Sequence, residues 1–519
     1  MAATRPRHRR HAARPGTGLS VESLETRRVM ATVLAVGNDI AYGSQPIVRL
    51  VDAASGAVIA QKMVFETDFQ GGLRVAMADV DGDKTPEILA ASGPGRMGEI
   101  RVFKQQSVGG TTVLNELTAY RTIPFGTAYR GGVDVAGGEV DGNGREDIVA
   151  AMSTGPGTVK IFLSTNAPDP IANEAYRTIV PFGASFNGGA SVAVADIGTF
   201  RDGQLLNATI PDNKVEIIVG SGVGMPSSVK AYDISAAPRE VYTIRPFSAA
   251  VQGGVSVASG RYTADSIDDI IVSAGRGGGS AVQIYNGRAD VPHVRPVAST
   301  AAFAALARPN APVFTAPIDL DGNGRIDRFF ATQGDAGGAA GMVRLSQAGA
   351  RDATFPALKG PLRVAAPRTV FQTVTTSDGL QYFDTIVGSG TAAAIGDSIK
   401  VAYTGTFLND ASGRANVYDP GSGTFKTGTY VSRKAGEVFD SSTGVTFPLR
   451  AGSLIEGWVK GIPGMKPGGQ RVLVIPAALA YGADGSGFMQ PGPGGTSTAV
   501  TSIPPNAPLV FIVELLPRA

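Results

Sequence analysis

The chain has 519 residues, of which 17% are charged, and its formal net charge at neutral pH is +2. This length predicts about two to four domains, and so small a net charge offers no electrostatic basis for nucleic-acid binding. The absence of cysteine excludes disulfides, thiolate metal sites and a cysteine nucleophile. No apolar run reaches about 18 residues, so no transmembrane helix is expected.

Residues 1–30 form a basic tail that lacks the apolar stretch of an export signal. Within and just beyond it, "LSVESLETRRVMA" (Leu19–Ala31) resembles a short element near the N-terminus of exported bacterial repeat proteins. The resemblance implies an exported protein, whether extracellular, surface-bound or periplasmic. The alternative interpretation of this tail is a disordered basic segment.

An internal repeat of about 60 residues follows, and four copies open on a Gly-Gly pair. The copies start at Gly71, Gly131, Gly188 and Gly253, with a weaker fifth from Ala311. Each copy contains a short alternating run, a buried run, a Gly-rich turn and two further runs. This pattern predicts four antiparallel strands per copy, the composition of one β-propeller blade.

The ends of the repeat region predict ring closure. Residues 31–65 hold three strand-like runs without a first strand, and "GPLRVAA" (Gly360–Ala366) matches the first strand of the first copy. We therefore expect residues 31–366 to form a six-bladed propeller, closed by one C-terminal strand added to three N-terminal strands. An open array of β-sandwiches, or a count of five or seven blades, is the alternative.

Three copies carry an acidic loop between the first and second strands: "DVDGDKTPE", "EVDGNGRED" and "DLDGNGRID". Oxygen ligands fall at loop positions one, three, five and nine, and glycine at position four permits the turn that converges them. Calcium is coordinated by six to eight oxygens, which predicts structural Ca²⁺ here. An Asp/Gly turn without metal is the alternative.

These copies resemble the FG-GAP or VCBS-like repeats of integrin-type propellers. The resemblance implies twelve calcium ligands: Asp79, Asp81, Asp83, Glu87, Glu139, Asp141, Asn143, Asp147, Asp319, Asp321, Asn323 and Asp327. The third copy carries an insertion in this loop and the fourth lacks the early acids, so no metal is expected there.

Residues 367–379 read as a polar linker, and a second domain spans 380–519. Its blocks include "IKVAYTG", "EVFDSS", "LIEGWVKGIPGMKPGGQRVLVIPAALAYG" and "IPPNAPLVFIVELL". In this order they resemble FKBP-type peptidyl-prolyl cis–trans isomerases, which implies an antiparallel sheet wrapped on a short helix. Apolar spacing independently predicts that helix over Ser453–Ile462, with Ser453 as N-cap and Glu456 completing a capping box.

The resemblance implies a pocket that binds an X–Pro bond, with Trp458 as its floor. The Tyr481 hydroxyl and the Ile455 amide would hold substrate carbonyls, and Asp440 would lie near the twisted amide and bond Tyr403. The implied lining and site residues are Tyr403, Phe439, Asp440, Phe447, Leu454, Ile455, Trp458, Tyr481, Ile503 and Phe511. Two insertions, Asn409–Gly436 and Ser486–Ser502, depart from the family pattern near this pocket.

Two functional hypotheses follow. In the first, the protein isomerises prolyl bonds of exported polypeptides without a catalytic cofactor, and the propeller tethers it to a surface or protein partner. In the second, the propeller is the working part of a binding protein and the isomerase-like domain is a weak peptide clamp. The complete set of pocket residues favours the first, and the insertions favour the second.

Overall fold

A computed structural model describes residues 33–40, 45–166, 170–171, 174–279, 281–300, 311–333, 341–359, 361–368, 373–491 and 497–517. The basic tail and Gly360 lie outside these ranges. The described chain is mainly β, as predicted, and its one α-helix, α1, is Glu456–Gly461. No helix in the described ranges has the length and apolarity needed to cross a membrane.

Residues 33–365 form six four-stranded antiparallel sheets. The closing sheet begins with β1 (Val33–Asn38), β2 (Ile47–Asp52) and β3 (Val58–Met63). Sheet 1 consists of β4 (Leu73–Ala78), β5 (Glu87–Ser92), β6 (Ile100–Val108) and β7 (Thr111–Glu116). Sheet 2 consists of β8 (Val133–Gly138), β9 (Asp147–Met152), β10 (Val159–Phe162) and β11 (Arg177–Ile179).

Sheets 3 to 5 have the same plan, but sheet 3 carries an inserted hairpin, β13–β14. Sheet 3 consists of β12 (Ala190–Ala195), β15 (Glu216–Ser221), β16 (Val229–Asp233) and β17 (Arg239–Ile244), and its inserted hairpin consists of β13 (Thr199–Arg201) and β14 (Gln204–Asn207). Sheet 4 consists of β18 (Gly253–Gly260), β19 (Asp269–Arg276), β20 (Val282–Tyr285) and β21 (Ala298–Thr300). Sheet 5 consists of β22 (Val313–Ile318), β23 (Arg328–Gln333), β24 (Gly341–Ser346) and β25 (Arg351–Lys359). Strand β26 (Leu362–Ala365) then completes the closing sheet.

The two ends of the repeat region meet in one sheet. Strand β26 pairs antiparallel with β1, and Val364 lies opposite Val36. This is the pairing expected from the likeness between "GPLRVAA" and the first strand of the first copy. Backbone groups of β1 that would otherwise form a sheet edge are therefore satisfied by the C-terminal strand.

The first strands of the sheets contact one another in sequence, from β4 through β8, β12, β18 and β22 to β26, and β26 contacts β4. The second glycine of each Gly-Gly pair makes this approach feasible. Gly132 has φ +83°, and a Cβ on it would lie 2.8 Å from the backbone nitrogen of Pro94 in the preceding sheet. Only glycine fits such a position, which explains why the Gly-Gly pair marks the start of a copy.

The second domain is built on a six-stranded antiparallel sheet, β27 (Val374–Thr375), β28 (Gln381–Ile386), β35 (Gln470–Ile475), β38 (Leu509–Leu515), β29 (Ser398–Phe407) and β34 (Val438–Pro448), in that order. The predicted linker was too long, because Val374–Thr375 is already a strand of this sheet. The helix α1 packs on one face, where Trp458, Ile462, Leu473 and Val513 are core residues.

The helix prediction needs a correction at its start. The N-cap is Ile455, with no side-chain capping bond, and Ser453 instead contacts Arg450 through its hydroxyl at 3.1 Å. The predicted capping box is therefore wrong. A bridge between Ala451 and Leu454 holds the preceding turn in an extended path, and the helix begins two residues later than predicted.

The two insertions form small hairpins that pack on each other. The first contributes β30 (Ala411–Gly413), β31 (Asn416–Asp419), β32 (Thr424–Thr427) and β33 (Val431–Arg433), and the second contributes β36 (Ser486–Pro491) and β37 (Ser497–Ile503). Ala415, Val417 and Ala499 form a small buried core between them. Each insertion therefore contributes to one joint substructure beside the sheet.

Candidate active site and acidic loops

An aromatic cleft lies between the sheet of the second domain and α1. The indole of Trp458 is 4% exposed and forms edge contacts with Tyr403, Phe511 and Phe447, at centroid distances of 5.1, 5.2 and 5.9 Å. Phe439 meets Phe511 at 5.5 Å. These rings come from three strands and one helix, so only the folded sheet brings them together.

The predicted pocket residues differ in how far their side chains are buried. Trp458, Ile503 and Phe511 are buried at the base, whereas Asp440 and Tyr481 are exposed. The remaining members are half-buried against the same core: Tyr403, Phe439, Phe447, Leu454 and Ile455. Exposure of the two polar residues means that the insertion hairpins do not seal this end of the site.

One residue essential to the cleft was overlooked in the sequence. Gly405 pairs with Asp440 on one side and Phe511 on the other. A Cβ at Gly405 would lie 2.7 Å from both Phe439 and Phe511 ring carbons. The register of β29 and β34 also shifts next to Gly405, as expected of irregularities that redirect side chains near active sites. The glycine in "VAYTGTF" was the available signal.

The polar edge of the cleft is organised by Tyr403. Its hydroxyl donates a 2.7 Å hydrogen bond to Asp440 Oδ2, as the family resemblance implied. Burial, together with this bond, raises the pKa of Tyr403, and burial followed by the Asp440 charge raises the pKa of Tyr481. Both phenols therefore remain protonated at neutral pH, and Tyr481 can donate to a substrate carbonyl.

The indole nitrogen of Trp458 is buried, and it has no hydrogen-bond partner within the described part of the chain. Buried donors are nearly always satisfied in folded proteins. An unsatisfied donor at the base of an apolar cleft costs free energy, which a ligand oxygen or an ordered water would recover.

The three acidic loops converge their carboxylates. In each loop, oxygens from positions one, three and nine lie within 4.8 Å of one another, and these groups are Asp79, Asp81 and Glu87; Glu139, Asp141 and Asp147; and Asp319, Asp321 and Asp327. The glycines at position four, Gly82, Gly142 and Gly322, have φ of 75°, 86° and 72°. The predicted turn geometry is therefore confirmed.

Position five behaves differently from positions one, three and nine. The amides of Asn143 and Asn323 donate to the position-three aspartates Asp141 and Asp321, at 3.2 and 3.0 Å. Their carbonyl oxygens accept backbone N–H groups within the loop. In this arrangement the two asparagines stabilise the turn, and the carboxylates of positions one, three and nine form the candidate ion site.

The first loop contains its own cation. Lys104, from β6, contacts Asp81, approaches Asp83 Oδ2 at 2.7 Å and lies 3.7 Å from Glu87 Oε1. Burial opposes its charge, but the bonds to Asp81 and Asp83 raise the pKa of Lys104. An ammonium group thus occupies the centre of this acidic cluster, which makes the first loop a poorer calcium site than the other two.

Burial perturbs the remaining loop acids strongly. It raises the pKa of Asp147 to about 8, with the Glu139 charge adding to the effect, and that of Asp319 to about 6, with Asp321 adding. A cluster that favours protonation without a counter-ion is the donor set that a divalent cation would neutralise. The chemistry of the second and third acidic loops therefore fits calcium.

The loops are joined across sheets by backbone hydrogen bonds. The Glu146 amide donates to the Asp79 carbonyl at 2.8 Å, and the Val215 amide donates to the Glu139 carbonyl at 2.8 Å. The loop of sheet 5 also touches the second domain, because the Val387 amide donates to the Asn323 carbonyl at 3.2 Å. The acidic end of the repeat region is therefore the end on which the second domain lies.

The family model described as FKBP-type peptidyl-prolyl cis–trans isomerase matches residues 389–516. The chain is 34% identical over 142 residues to an FK506-binding protein of Neisseria meningitidis serogroup B, covering 27% of this chain and 94% of the relative. It is 37% identical over 145 residues to FK506-binding protein 4 of Dictyostelium discoideum, covering 28% of this chain but only 29% of that relative.

Among solved structures, FkpA from Escherichia coli is 32% identical, and the match covers 28% of this chain and 50% of that one with a TM-score of 0.19. The residues that the family model matches lie in the C-terminal part of the chain.

Proposed function

Because the chain belongs to the FKBP-type peptidyl-prolyl cis–trans isomerase family, we propose that the whole protein isomerises X–Pro bonds of polypeptides. The observation that carries this proposal is the aromatic cleft on Trp458, with the Tyr403–Asp440 bond at its edge. The substrate class is proline-containing chains, and the reaction needs no cofactor.

The chemistry is differential binding. Rotation about the X–Pro bond passes over a barrier of about 18–20 kcal/mol because amide resonance must be broken. The twisted amide is less polar than the planar one, so an apolar surface formed by Trp458, Phe511 and Phe439 favours it. Tyr481 would orient a substrate carbonyl, and Asp440, fixed by Tyr403, would lie beside the rotating amide.

A protease-coupled assay on the full chain tests this activity with short X–Pro peptides. We expect turnover in the wild type and a large loss in Trp458→Ala, which removes the base of the cleft. Lys62→Met, on the exposed face of β3, is the matched control and should retain full activity. Absence of activity in the wild type would overturn the proposal.

We also infer that the six sheets are the blades of a calcium-stabilised propeller of the FG-GAP or VCBS-like type. Closure through β26 and the sequential contacts of the first strands support this. Calcium would be held by the clusters around Asp141 and Asp321, where it would neutralise buried carboxylates. In our proposal this module tethers the isomerase to a surface or extracellular partner of an exported protein.

A second candidate function is peptide binding with little catalysis. It is favoured by the aromatic pair Tyr418 and Phe425 on the first insertion, whose rings meet at 5.4 Å although the residues are 54% and 69% exposed. In that case, proline peptides would bind to the full chain without accelerated isomerisation. The same assay, combined with a binding titration, separates the two functions.

A further inference from the structure

Sheet 3 contains a fourth acidic cluster, which the spacing of the acidic loops did not predict because an insertion separates its members in the sequence. In sheets 1 and 2 the position-nine acid is the first residue of the second strand, Glu87 or Asp147, and Glu216 has the same place opposite Ala195. Asp196 begins the interrupted loop. Asp212 precedes Glu216 by the same four residues that separate Asp83 from Glu87. The insertion therefore separates the acids in sequence and returns them to one place.

A further carboxylate comes from the third strand of the same sheet. Ile217 pairs with Tyr232, as Ile88 pairs with Phe103 in sheet 1, so the next residue along each third strand reaches the loop. That residue is Lys104 in sheet 1 and Asp233 in sheet 3. Where sheet 1 supplies an internal cation, sheet 3 adds another negative charge.

The cluster contains buried oxygens that lack a partner. Asp196 is 1% exposed and Asp233 is fully buried, yet Asp196 Oδ1 and Asp233 Oδ2 accept no hydrogen bond within the described ranges. Their other oxygens accept backbone N–H groups of Asn213 and Ser235, both at 2.8 Å. Arg239 Nη2 lies 3.9 Å from Asp233 Oδ2, and the Arg239 side chain is 51% exposed.

The four carboxylates act on one another electrostatically. Asp212 is within interaction range of Asp196, Glu216 and Asp233, and Glu216 is within range of Asp196 and Asp233. Their oxygens are spaced more widely than the 4.8 Å groups of the other three loops within the described chain. A cation bound between them would offset the repulsion between these like charges.

We propose that Asp196, Asp212, Glu216 and Asp233 bind one divalent cation with calcium-like oxygen chemistry, and that this cation holds the inserted segment 198–213 against the isomerase domain. Hard cations with flexible coordination suit carboxylates drawn from separate elements. Asp196 and Asp233 each keep one buried oxygen without a hydrogen-bond partner in the described chain. Cations lie nearby, since Arg239 is 3.9 Å from Asp233 Oδ2 and the charges of Arg368 and Arg261 act on Asp196.

The inserted segment is the part of sheet 3 that contacts the isomerase domain. Ile210 packs among Phe383, Val472 and Val510 on the sheet face opposite to α1. Asn213, whose backbone amide bonds to Asp196, also donates its side-chain amide to Thr373 Oγ1 at 3.0 Å. The cluster and the docking contact therefore share one short stretch of chain.

A cleft between the two domains gives the cation a route to the cluster. Its volume is about 510 Å³, and Asp212 and Glu216 line it together with Gln381 and Phe383 of the isomerase domain. Arg201 Nη1 donates to Asn409 Oδ1 at 2.5 Å at the outer side of the same inserted segment. Loss of the cation would leave repelling carboxylates beneath the segment that carries these contacts.

The test uses the full chain and does not depend on isomerase activity. Calcium stoichiometry is measured by calorimetric titration of the chelator-stripped wild type, Asp233→Asn, Asp212→Asn and the control Asp290→Asn, an exposed aspartate paired with Arg288 at 2.7 Å. We expect each cluster variant to bind one calcium fewer than the wild type and the control. An unchanged stoichiometry in both cluster variants would overturn the site.

Small-angle X-ray scattering of the same proteins measures whether the inserted segment 198–213 docks on the isomerase domain. We expect the radius of gyration of the wild type and of Asp290→Asn to decrease when calcium is added, and that of the cluster variants to be the same with calcium and with chelator. If the cluster variants lose one calcium but compact like the wild type, the docking role is wrong. Asp212 is only partly buried, so its variant decides the matter if Asp233→Asn fails to fold.

Discussion

The Tyr403 hydroxyl donates a 2.7 Å hydrogen bond to Asp440 Oδ2, and this bond ties a buried aromatic wall to an exposed carboxylate on the neighbouring strand. Gly405 lies directly opposite Asp440, two residues along from Tyr403. The carboxylate is therefore positioned by two strands and a phenol while its side chain stays exposed.

This relationship predicts the kinetic effect of removing Asp440. Asp440→Ala should lower kcat about tenfold, or ~1.4 kcal/mol, with little change in peptide affinity, because the carboxylate acts mainly on the twisted amide. Phe439→Ala should instead lower both kcat and peptide affinity, since it removes packing that the substrate and the transition state share. Steady-state kinetics with an X–Pro peptide checks this, and an affinity loss equal to the kcat loss in Asp440→Ala would contradict it.

Trp458 provides an intrinsic probe of the cleft. It is the only tryptophan in the chain, and its indole nitrogen has no described partner. Adding a proline peptide should change the emission intensity or wavelength and saturate with one binding constant. Emission that is blue-shifted, protected from soluble quenchers and indifferent to the peptide would instead mean a sealed core.

Stability should depend on pH in a direction set by the acidic loops. Their folded pKa values, about 8 for Asp147 and about 6 for Asp319, exceed the unfolded value near 4, so the folded state binds more protons in this range. In excess chelator the melting temperature should therefore rise as pH falls from about 8 to about 6. Saturating calcium should raise the melting temperature at pH 8 and reduce this dependence, because metal and protons compete for the same oxygens. A melting temperature that is unchanged by chelator would contradict the calcium proposal.

Lys104 should replace calcium in the first loop. Lys104→Met leaves Asp81, Asp83 and Glu87 without their cation and should destabilise the protein in chelator by on the order of 2 kcal/mol, between the values typical of exposed and buried pairs. Lys62→Met, on the exposed face of β3, should have no measurable effect. Thermal unfolding with and without calcium checks this, and we expect calcium to recover more stability in Lys104→Met than in the wild type.

Closure through β26 can be tested by one backbone change. Ala365 faces Ala35 in the same hydrogen-bonding phase as the Asp39–Pro361 pair, so Ala365→Pro removes an N–H directed at β1 and should lower the unfolding temperature of the repeat region. Ala365→Ser keeps the backbone pairing and is the control for the changed side chain. Differential scanning calorimetry separates the two cases, and equal unfolding temperatures for the two variants would argue against closure as a source of stability.

Local sequence patterns determined a large part of this protein. The Gly-Gly pairs, the acidic turns and the ordered isomerase blocks each reflect a short-range constraint, such as a positive φ, a converging loop or the alternation of a half-buried strand. That is why the closing strand in Gly360–Ala366 and the convergence of the loop acids could be predicted from residue types and spacing, whereas the pocket residues around Trp458 came from the resemblance to the isomerase family.

Only the tertiary structure decided which charges meet. Lys104 enters the first loop, and Asp233 the acidic cluster of sheet 3, through strand register between segments about 20 residues apart. Asp212 returns to the neighbourhood of Asp196 across an inserted hairpin. Likewise, Ile455 rather than Ser453 is the N-cap of α1, because a bridge in the preceding turn outweighs local capping preference. Electrostatics and packing act between residues that are close in space, and sequence spacing reports such closeness only within a single turn, strand or helix.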